Sequence, residues 1–112
     1  MSKALSSTVH AIGIDGGGTS TRVLLVDGEG RRLGEGTSGS GNLHDMGEAQ
    51  LGEHLGEAWR GAWASAGREP RPAESVFCAM ASVGTAANRE LVRRLVARVG
   101  MGSLEAVEVD ID

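Results

Sequence analysis

The feature that most constrains the fold is a glycine run between two short apolar segments near the start of the chain. Residues 12–15 read Ile-Gly-Ile-Asp, residues 16–18 are all glycine, and Thr-Ser-Thr at residues 19–21 leads to an apolar run at residues 23–26. Neither apolar segment has helical periodicity, so both are predicted to be strands. A short glycine loop between two strands predicts a hairpin at the beginning of the fold.

Two common phosphate loops do not fit this run. A Walker A loop needs a Gly-Lys-Ser or Gly-Lys-Thr that opens a helix, and no such lysine is present. A Rossmann fingerprint places its glycines between a strand and a helix, whereas a strand pattern follows the glycines in this chain. The remaining interpretations are a hairpin loop that binds a phosphate and a plain tight turn with a solvent-facing aspartate.

The residue types in the loop favour the phosphate-binding interpretation. Consecutive glycines permit left-handed conformations that point successive backbone N–H groups at one anion. The hydroxyl groups of Thr19, Ser20 and Thr21 add further donors. Asp15 is predicted at the end of the first strand, where its carboxylate is placed to bind Mg²⁺ directly or through water.

The remainder of the chain predicts a mixed α/β domain with the order β-β-β-α-β-α-β. The first three strands form an antiparallel meander with the third strand at an edge, and the fourth is apolar enough to be covered on both faces. A helix from Asp45 to Ala66 carries an apolar stripe that includes Trp59 and Trp63, and a second helix begins at Thr85 or Asn88 and ends at Gly100. The predicted strands are residues 9–15, 20–26, 31–36, 75–81 and 104–112, after a disordered tail at residues 1–8.

Composition narrows the classes of partner. The chain has 11 Lys and Arg residues against 15 Asp and Glu residues and few aromatic side chains, which argues against binding to nucleic acid. It has no apolar run of membrane-spanning length and no signal-peptide pattern, so no membrane partner is expected. The single cysteine, Cys78, lies in a predicted core strand, which is typical of a cytoplasmic protein.

The run from Gly13 to Arg22 resembles the first phosphate motif of the sugar kinase/Hsp70/actin superfamily. Within that superfamily, three glycines followed by threonine resemble the N-acetylglucosamine kinase group, the BadF/BadG/BcrA/BcrD ATPase family. The loop from Thr37 to Gly47, which contains Gly41-Asn42, is similar to the same group. The element order is that of the ribonuclease H-like N-terminal domain of actin-like ATPases, and the resemblance covers residues 10–112.

This resemblance implies an ATP-dependent kinase that transfers the γ-phosphate to a hydroxyl of an amino sugar such as N-acetylglucosamine. It implies that Asp15 lies on the Mg²⁺ side and that Asn42 contacts the sugar; the alternative for Asn42 is a residue that stabilises the turn after Gly41. A homodimer of the full-length protein is left open. The residues expected to bind the ATP phosphates are Gly16, Gly17, Gly18, Thr19 and Ser20.

The catalytic base implied by the resemblance is Asp112, at the end of the fifth strand. Ile111 stands where the family pattern has asparagine, and Asp110 is the second candidate for the base. The other interpretation is that the acidic residues of this strand form one solvated face. After the fourth strand, Ser82 replaces a glycine of the family pattern, which puts a side chain where backbone normally approaches the ligand.

The second phosphate motif, the adenosine pocket and the helix expected after strand five are not found in the sequence. We therefore interpret the chain as an N-terminal fragment of a kinase, with the second domain absent and negligible activity alone. The first alternative is an ATPase of the dehydratase- or reductase-activator type, which uses cysteines for an iron–sulfur cluster; Cys78 alone argues against it. The second alternative is a non-catalytic module that binds a sugar or a nucleotide.

Overall fold

A five-stranded mixed sheet forms the centre of the protein, and its strand order is β3-β2-β1-β4-β5. The computed structural model describes residues 8–81 and 83–111, with the backbone alone for Ile111. β2 is antiparallel to β1 and to β3, whereas β4 is parallel to β1 and to β5. The strands are β1 (Ala11–Gly16), β2 (Thr21–Val26), β3 (Arg32–Ser38), β4 (Ser75–Met80) and β5 (Val107–Ile111).

The predicted fold class and order of elements are confirmed, including the opening meander with β3 at the edge. The main difference lies before β5, where residues Leu104–Ala106 form a single 3₁₀ turn that was predicted as strand. Of the predicted tail at residues 1–8, only Thr8 lies within the described residues. Asp112, the predicted end of strand five, lies outside them.

The first helix, α1 (Leu43–Ser65), begins two residues before its predicted start. Asn42 is its N-cap: the Oδ1 atom accepts hydrogen bonds from the backbone N–H groups of His44 and Asp45 at 2.9 and 3.4 Å. A side-chain cap of this kind satisfies donors that the first turn leaves free, which extends the helix towards its N-terminus. Gly47, at φ 77°, interrupts the helical backbone and produces a kink.

The second helix, α2 (Ala86–Val99), has Thr85 as its N-cap. The Thr85 Oγ1 atom accepts from the Asn88 N–H at 3.1 Å, which decides between the two predicted cap residues. Gly100 ends the helix in the left-handed conformation at φ 110°, as predicted. Neither α1 nor α2 is both long and apolar enough to cross a membrane, and the same holds for the whole of the described chain.

Both helices pack on the same face of the sheet and bury one hydrophobic core. The crossovers β3–α1–β4 and β4–α2–β5 move along the sheet in the same direction, and right-handed crossovers then place both helices on one side. Trp59 and Trp63 are buried in this core, as predicted. The strands contribute alternate side chains to it, namely Ile12, Ile14, Val23, Leu25, Val76, Cys78, Met80 and Val107.

The opposite face of the sheet is open within the described chain. The prediction that β4 is covered on both faces is therefore wrong for the described residues: its side chains alternate between buried and accessible, and Phe77 is 47% exposed. The continuous apolar run of β4 does not separate the two faces, because an apolar side chain on the open face gives the same sequence pattern as one in the core.

Candidate functional site

Three loops meet at the carboxyl end of β1. The backbone N–H of Gly41, in the loop between β3 and α1, donates to the Gly17 carbonyl at 2.9 Å. The N–H of Ala81, just after β4, donates to the Gly16 carbonyl at 2.8 Å. In open sheets with parallel strands, ligands bind beyond the carboxyl ends of those strands. The predicted phosphate loop therefore lies at the edge of the sheet where a ligand site is expected.

The loop of residues 16–20, here called the glycine loop, is a tight hairpin. The Gly17 N–H donates to the Ser20 carbonyl at 2.9 Å and closes the turn. Gly18, Thr19 and Ser20 are exposed, so the backbone of Gly18 and both hydroxyl-bearing residues are open to solvent. Thr21 is completely buried, and its hydroxyl therefore cannot serve as the surface donor that the sequence suggested.

Each glycine of the loop has a different steric situation. A Cβ at Gly16 would lie 2.6 Å from the Sδ atom of Met80 and 3.2 Å from the Gly41 carbonyl oxygen, so packing inside the chain accounts for this glycine. A Cβ at Gly17 would meet only the Ser20 carbonyl oxygen at 3.7 Å, and one at Gly18 would meet nothing within 4 Å. The space beside Gly18 is therefore open within the described chain, and beside Gly17 a Cβ would make one ordinary van der Waals contact without crowding.

The backbone conformation of the loop differs from the prediction. The described glycines with positive φ are Gly30, Gly47, Gly67 and Gly100, and none of them belongs to the glycine loop. The expectation of left-handed backbone at residues 16–18 is thus wrong. Neither backbone strain nor crowding explains why residues 17 and 18 are glycine. Close approach of a ligand to a backbone without side chains would explain both.

Gly16 and Gly41 pack directly against each other. A Cβ at Gly41 would lie 2.5 Å from the Gly16 Cα and 2.9 Å from the Thr21 Oγ1 atom. The Thr21 hydroxyl is buried under this contact and has no hydrogen-bond partner among the residues that the structure describes. The glycine loop and the loop of residues 39–42, here called the asparagine loop, are therefore held together by backbone packing and one backbone hydrogen bond.

Asn42 lies next to the glycine loop at the start of α1. Its Oδ1 atom caps the helix, so the turn-stabilising interpretation of this residue is confirmed as a structural role. The Ser40 Oγ atom accepts from the Asn42 backbone N–H at 3.1 Å, which adds a second local contact. With its carbonyl oxygen used in this way, the side-chain amide of Asn42 offers its N–H donors to a ligand.

His54 supports the asparagine loop from α1. Its Nδ1 atom lies 2.8 Å from the Ser40 carbonyl oxygen, and a Cβ at Gly39 would come within 2.7 Å of its ring. The sequence pattern alone does not reveal this support. His54 lies on the face of α1 that points back towards the Gly/Ser loop. This position can be recognised only once the fold is known.

The carboxylates of the site lie on the open face of the sheet. Asp15 on β1 pairs in register with Ala79 on β4, and Ala79 pairs with Asp110 on β5. Two strand spacings separate the Cα atoms of Asp15 and Asp110 by about 10 Å. Asp15 is exposed, and its cross-strand neighbour Arg22 is held by Glu35 through hydrogen bonds of 2.9 and 3.3 Å.

The chain provides one candidate metal ligand at this end of the sheet rather than a cluster. Among residues 8–81 and 83–111, no three His, Cys, Asp or Glu side chains come together as a metal site. The Asp15 carboxylate is open to solvent and forms no ion pair among those residues, which suits a Mg²⁺ ion held by one carboxylate, water and substrate phosphates. The residues predicted for the site thus lie at one end of the sheet, with the exception of Asp112, which lies outside the described residues.

Cys78 takes no part in this site. It is buried in the core on the helix side of β4, and its burial raises the pKa of the thiol to about 12. A thiol in this environment stays protonated at neutral pH, whereas metal and cluster ligation require the thiolate. The described chain therefore offers no accessible cysteine ligand.

Comparisons with known proteins agree with the family that the glycine loop suggested. The family model of the BadF/BadG/BcrA/BcrD ATPases matches residues 12–109. Among solved structures, a candidate N-acetylglucosamine kinase from Chromobacterium violaceum is similar at a TM-score of 0.68 and 22% sequence identity. The alignment covers 92% of this chain and 35% of that one, so the chain spans about a third of the solved protein. No curated protein matches the chain.

Proposed function

Because the chain belongs to the BadF/BadG/BcrA/BcrD ATPase family, we propose that it is the N-terminal part of an ATP-dependent amino-sugar kinase. The observation that carries the proposal is the open space beside Gly18 and the uncrowded backbone of Gly17 next to it. These two glycines have no left-handed backbone, and a Cβ at Gly18 would meet nothing within 4 Å. A polyphosphate that approaches the backbone closely accounts for both.

Each residue of the proposed site has its own role. The backbone of the glycine loop, through the N–H groups that the Gly17–Ser20 turn leaves free, binds the phosphates of ATP together with the hydroxyls of Thr19 and Ser20, and Asp15 holds the Mg²⁺ ion. The side-chain amide of Asn42 donates to hydroxyl groups of the sugar. N-acetylglucosamine is the amino sugar we propose, because the solved relative is a candidate kinase for it.

A carboxylate on or after β5 accepts the proton of the attacking sugar hydroxyl. When bound, ATP supplies the phosphoryl group, and such transfers depend mainly on positioning and charge stabilisation. We propose Asp112 as the base, with Asp110 as the second candidate. Asp110 lies on the same face and in the same cross-strand row as Asp15, with only the small side chain of Ala79 between them.

The two alternative functions, an activator-type ATPase and a non-catalytic binding module, require different residues. An activator-type ATPase needs cysteine thiolates for its cluster, and the burial of Cys78 argues against that role for this part of the protein. A non-catalytic module would keep the glycine loop and Asn42 but would not need a base on strand five. The buried, unpaired thiol is also typical of a protein that works in the reducing cytoplasm, where we place the parent kinase.

A residue-resolved titration tests the proposed site. Amide resonances of the uniformly ¹⁵N-labelled 112-residue chain are recorded while Mg²⁺·ATP is added, and then N-acetylglucosamine. We expect the amides of Gly17, Gly18 and Thr19 to shift with ATP and the side-chain amide of Asn42 to shift with the sugar. The affinity should be only about millimolar, because half of the site is present. Shifts confined to other parts of the chain would contradict the proposal.

The same chain should not turn over substrate. The second domain that closes over ATP in a kinase of this type is not in the 112 residues, so we expect no sugar-dependent release of ADP. Release of ADP that depends on the sugar, from the purified chain alone, would show that the fragment is a complete enzyme. The Mg²⁺·ATP titration remains informative in either case, because it reports binding rather than turnover.

A further inference from the structure

Within the described chain, Asp15 and Arg22 are direct cross-strand neighbours on the open face of the sheet, yet they form no ion pair with each other. The register of β1 and β2 places their Cα atoms opposite one another, and both residues line one shallow cavity of about 200 Å³. Side chains in such positions are close enough to interact, and opposite charges there attract. The separation of this pair therefore needs a physical cause.

Glu35 on β3 holds the Arg22 guanidinium on the side away from Asp15. The Glu35 Oε2 atom accepts from Arg22 Nε at 2.9 Å, and the Oε1 atom accepts from Nη2 at 3.3 Å. A two-point contact of this kind fixes the orientation of a guanidinium group as well as its position. Because β3 and β1 lie on opposite sides of β2, this contact draws Arg22 towards β3 and leaves the Asp15 carboxylate open.

The backbone of Glu35 is anchored to α1. Its N–H donates to the Ser65 Oγ atom at 2.9 Å. The glycines on either side, Gly34 and Gly36, pack so closely on α1 that a Cβ at either position would collide with backbone atoms of the helix. Glu35 therefore starts from a fixed place in the sheet, which a residue needs if it is to position another side chain.

Release of Arg22 would interfere with the proposed metal ligand. Arg22 stands opposite Asp15 in the register, and its guanidinium group is charged at every pH at which the protein is folded. A guanidinium group that donates to both oxygens of a carboxylate occupies the lone pairs that a single-carboxylate Mg²⁺ site uses. An ion pair between these two residues would therefore compete with the cation.

We propose that Glu35 is a positioning residue for the metal site: it holds Arg22 away from Asp15 and so keeps the Asp15 carboxylate available to a divalent cation. This role rests on the proposed function of Asp15 as the Mg²⁺ ligand, whereas the position of Arg22 is observable without metal or nucleotide. Glu35 touches neither the cation nor the phosphates and acts only through Arg22. Removal of its carboxylate should move Arg22 onto Asp15 and weaken cation binding there.

The position of Arg22 is tested first, in the ¹⁵N-labelled 112-residue chain without metal, from its side-chain Nε–H resonance. In the wild-type chain, Asp15→Asn should leave this resonance unchanged, because Glu35 holds the group. In Glu35→Ala the resonance should move, and adding Asp15→Asn to that variant should move it again, because Arg22 then loses its new partner. A resonance in Glu35→Ala that does not respond to Asp15→Asn would overturn the proposal.

Cation binding is measured next with Mn²⁺ alone, a paramagnetic substitute for Mg²⁺, from the broadening of the Asp15 amide resonance. Glu35→Ala should weaken Mn²⁺ binding at Asp15 at least about threefold, the effect of an exposed ion pair that the cation must displace. Combining Glu35→Ala with Arg22→Gln should restore the wild-type affinity, because no guanidinium group is left to compete. The backbone amide spectrum establishes that each variant is folded.

Glu108 provides a matched control for the loss of negative charge. The register places Glu35 and Glu108 in one row across the open face, with Gly13 of β1 midway between them. Both glutamates are therefore about equally far from Asp15, at about 12 Å between Cα atoms. Glu108 forms no ion pair within the described ranges, so its removal releases no cationic side chain. Glu108→Ala should change Mn²⁺ binding less than about twofold, since salt screens charges at this distance.

The outcomes separate the role of Glu35 from the proposed function of Asp15. Equal weakening by Glu35→Ala and Glu108→Ala would reflect a general loss of negative charge and would overturn the proposal. A double variant that does not recover Mn²⁺ binding would overturn it as well. Absence of Mn²⁺ binding at Asp15 in the wild-type chain would instead contradict the metal site itself, even where the metal-free spectra show that Glu35 holds Arg22.

Discussion

The backbone N–H of Gly41 donates to the carbonyl oxygen of Gly17 at 2.9 Å, and this bond joins the two loops of the proposed site. Gly17 belongs to the loop proposed to bind phosphate, and Gly41 precedes the asparagine proposed to bind the sugar. A Cβ added at Gly41 would lie only 2.5 Å from the Cα atom of Gly16. The relative position of the two loops is thus fixed by backbone atoms, which do not change rotamer.

Replacing Gly41 by alanine should destabilise the whole fold. The new Cβ would collide with the backbone of Gly16 and with Thr21 Oγ1, neither of which can move without breaking the β1–β2 hairpin. Overpacking of this kind costs about 1–3 kcal/mol in the free energy of unfolding. Urea denaturation of Gly41→Ala measures it, with Gly13→Ala as the control, since a Cβ at Gly13 meets nothing within 4 Å. Equal stability of the two variants would contradict the steric account.

Asp15→Asn should remove the metal dependence of nucleotide binding without unfolding the chain. The carboxylate is exposed and has no ion-pair partner among the described residues, so its loss should change stability by less than about 0.5 kcal/mol. Titration with ATP in the presence and absence of Mg²⁺ measures the effect. Glu108→Gln removes an acidic group from β5 and should keep the Mg²⁺ response. A variant at Asp15 that still responds to Mg²⁺ would exclude Asp15 as the ligand.

Much of this fold could be predicted from the sequence because it depends on local patterns. Apolar periodicity separated strands from helices, and the glycine loop followed by a strand indicated the opening hairpin. The cap at Thr85 and the left-handed Gly100 both follow local rules of helix ends. Family resemblance then indicated the ribonuclease H-like fold, whereas the strand order was first seen in the structure.

The parts that could not be predicted depend on contacts between distant residues. The glycine at position 16 is required by Met80 and Gly41, which lie far along the chain. The same is true of His54, whose contact with Ser40 exists only once α1 has folded against the loop. Phe77 was assigned to a covered strand, although composition alone cannot tell an apolar residue on an open sheet face from one in the core.

Asp27 should make stability depend on pH in the acidic range. The Arg31 backbone N–H donates to its carboxylate at 2.9 Å and is the largest influence that lowers the pKa of Asp27 below its ordinary value of 3.8. Desolvation opposes this shift, while the Arg31 side chain and the Glu29 N–H add to it. Because its pKa is lowered in the folded state, the Asp27 carboxylate stabilises the fold at pH values above its ordinary pKa. This contribution is lost as the pH falls through the lowered pKa.

The comparison of wild type with Asp27→Asn isolates this contribution. The difference in unfolding free energy should be constant at neutral pH and should shrink as pH falls below about 4. Denaturation curves at a series of pH values measure it for both proteins. A difference that grows on acidification would mean that the folded state favours the protonated carboxyl, which is the opposite of a lowered pKa at Asp27.

Cys78 should react with thiol reagents only when the protein unfolds. Its pKa of about 12 leaves almost no thiolate at neutral pH, and its side chain is completely buried. Labelling with a chromogenic disulfide reagent should therefore be slow in buffer and rapid in denaturant. Fast labelling of the native chain would show that β4 opens readily, and would restore the thiol as a candidate ligand.

The most direct test of the phosphate site is the effect of Gly18→Ala on Mg²⁺·ATP binding. A Cβ at this position meets nothing within 4 Å of the chain and the backbone is not left-handed, so stability should stay within about 1 kcal/mol of wild type. The methyl group would occupy the space proposed for the phosphates. We predict that the affinity for Mg²⁺·ATP, measured from the amide shifts of the glycine loop, falls at least about tenfold in a chain that remains folded. ATP binding equal to that of wild type, in a variant with unchanged stability, would contradict a phosphate site at the glycine loop.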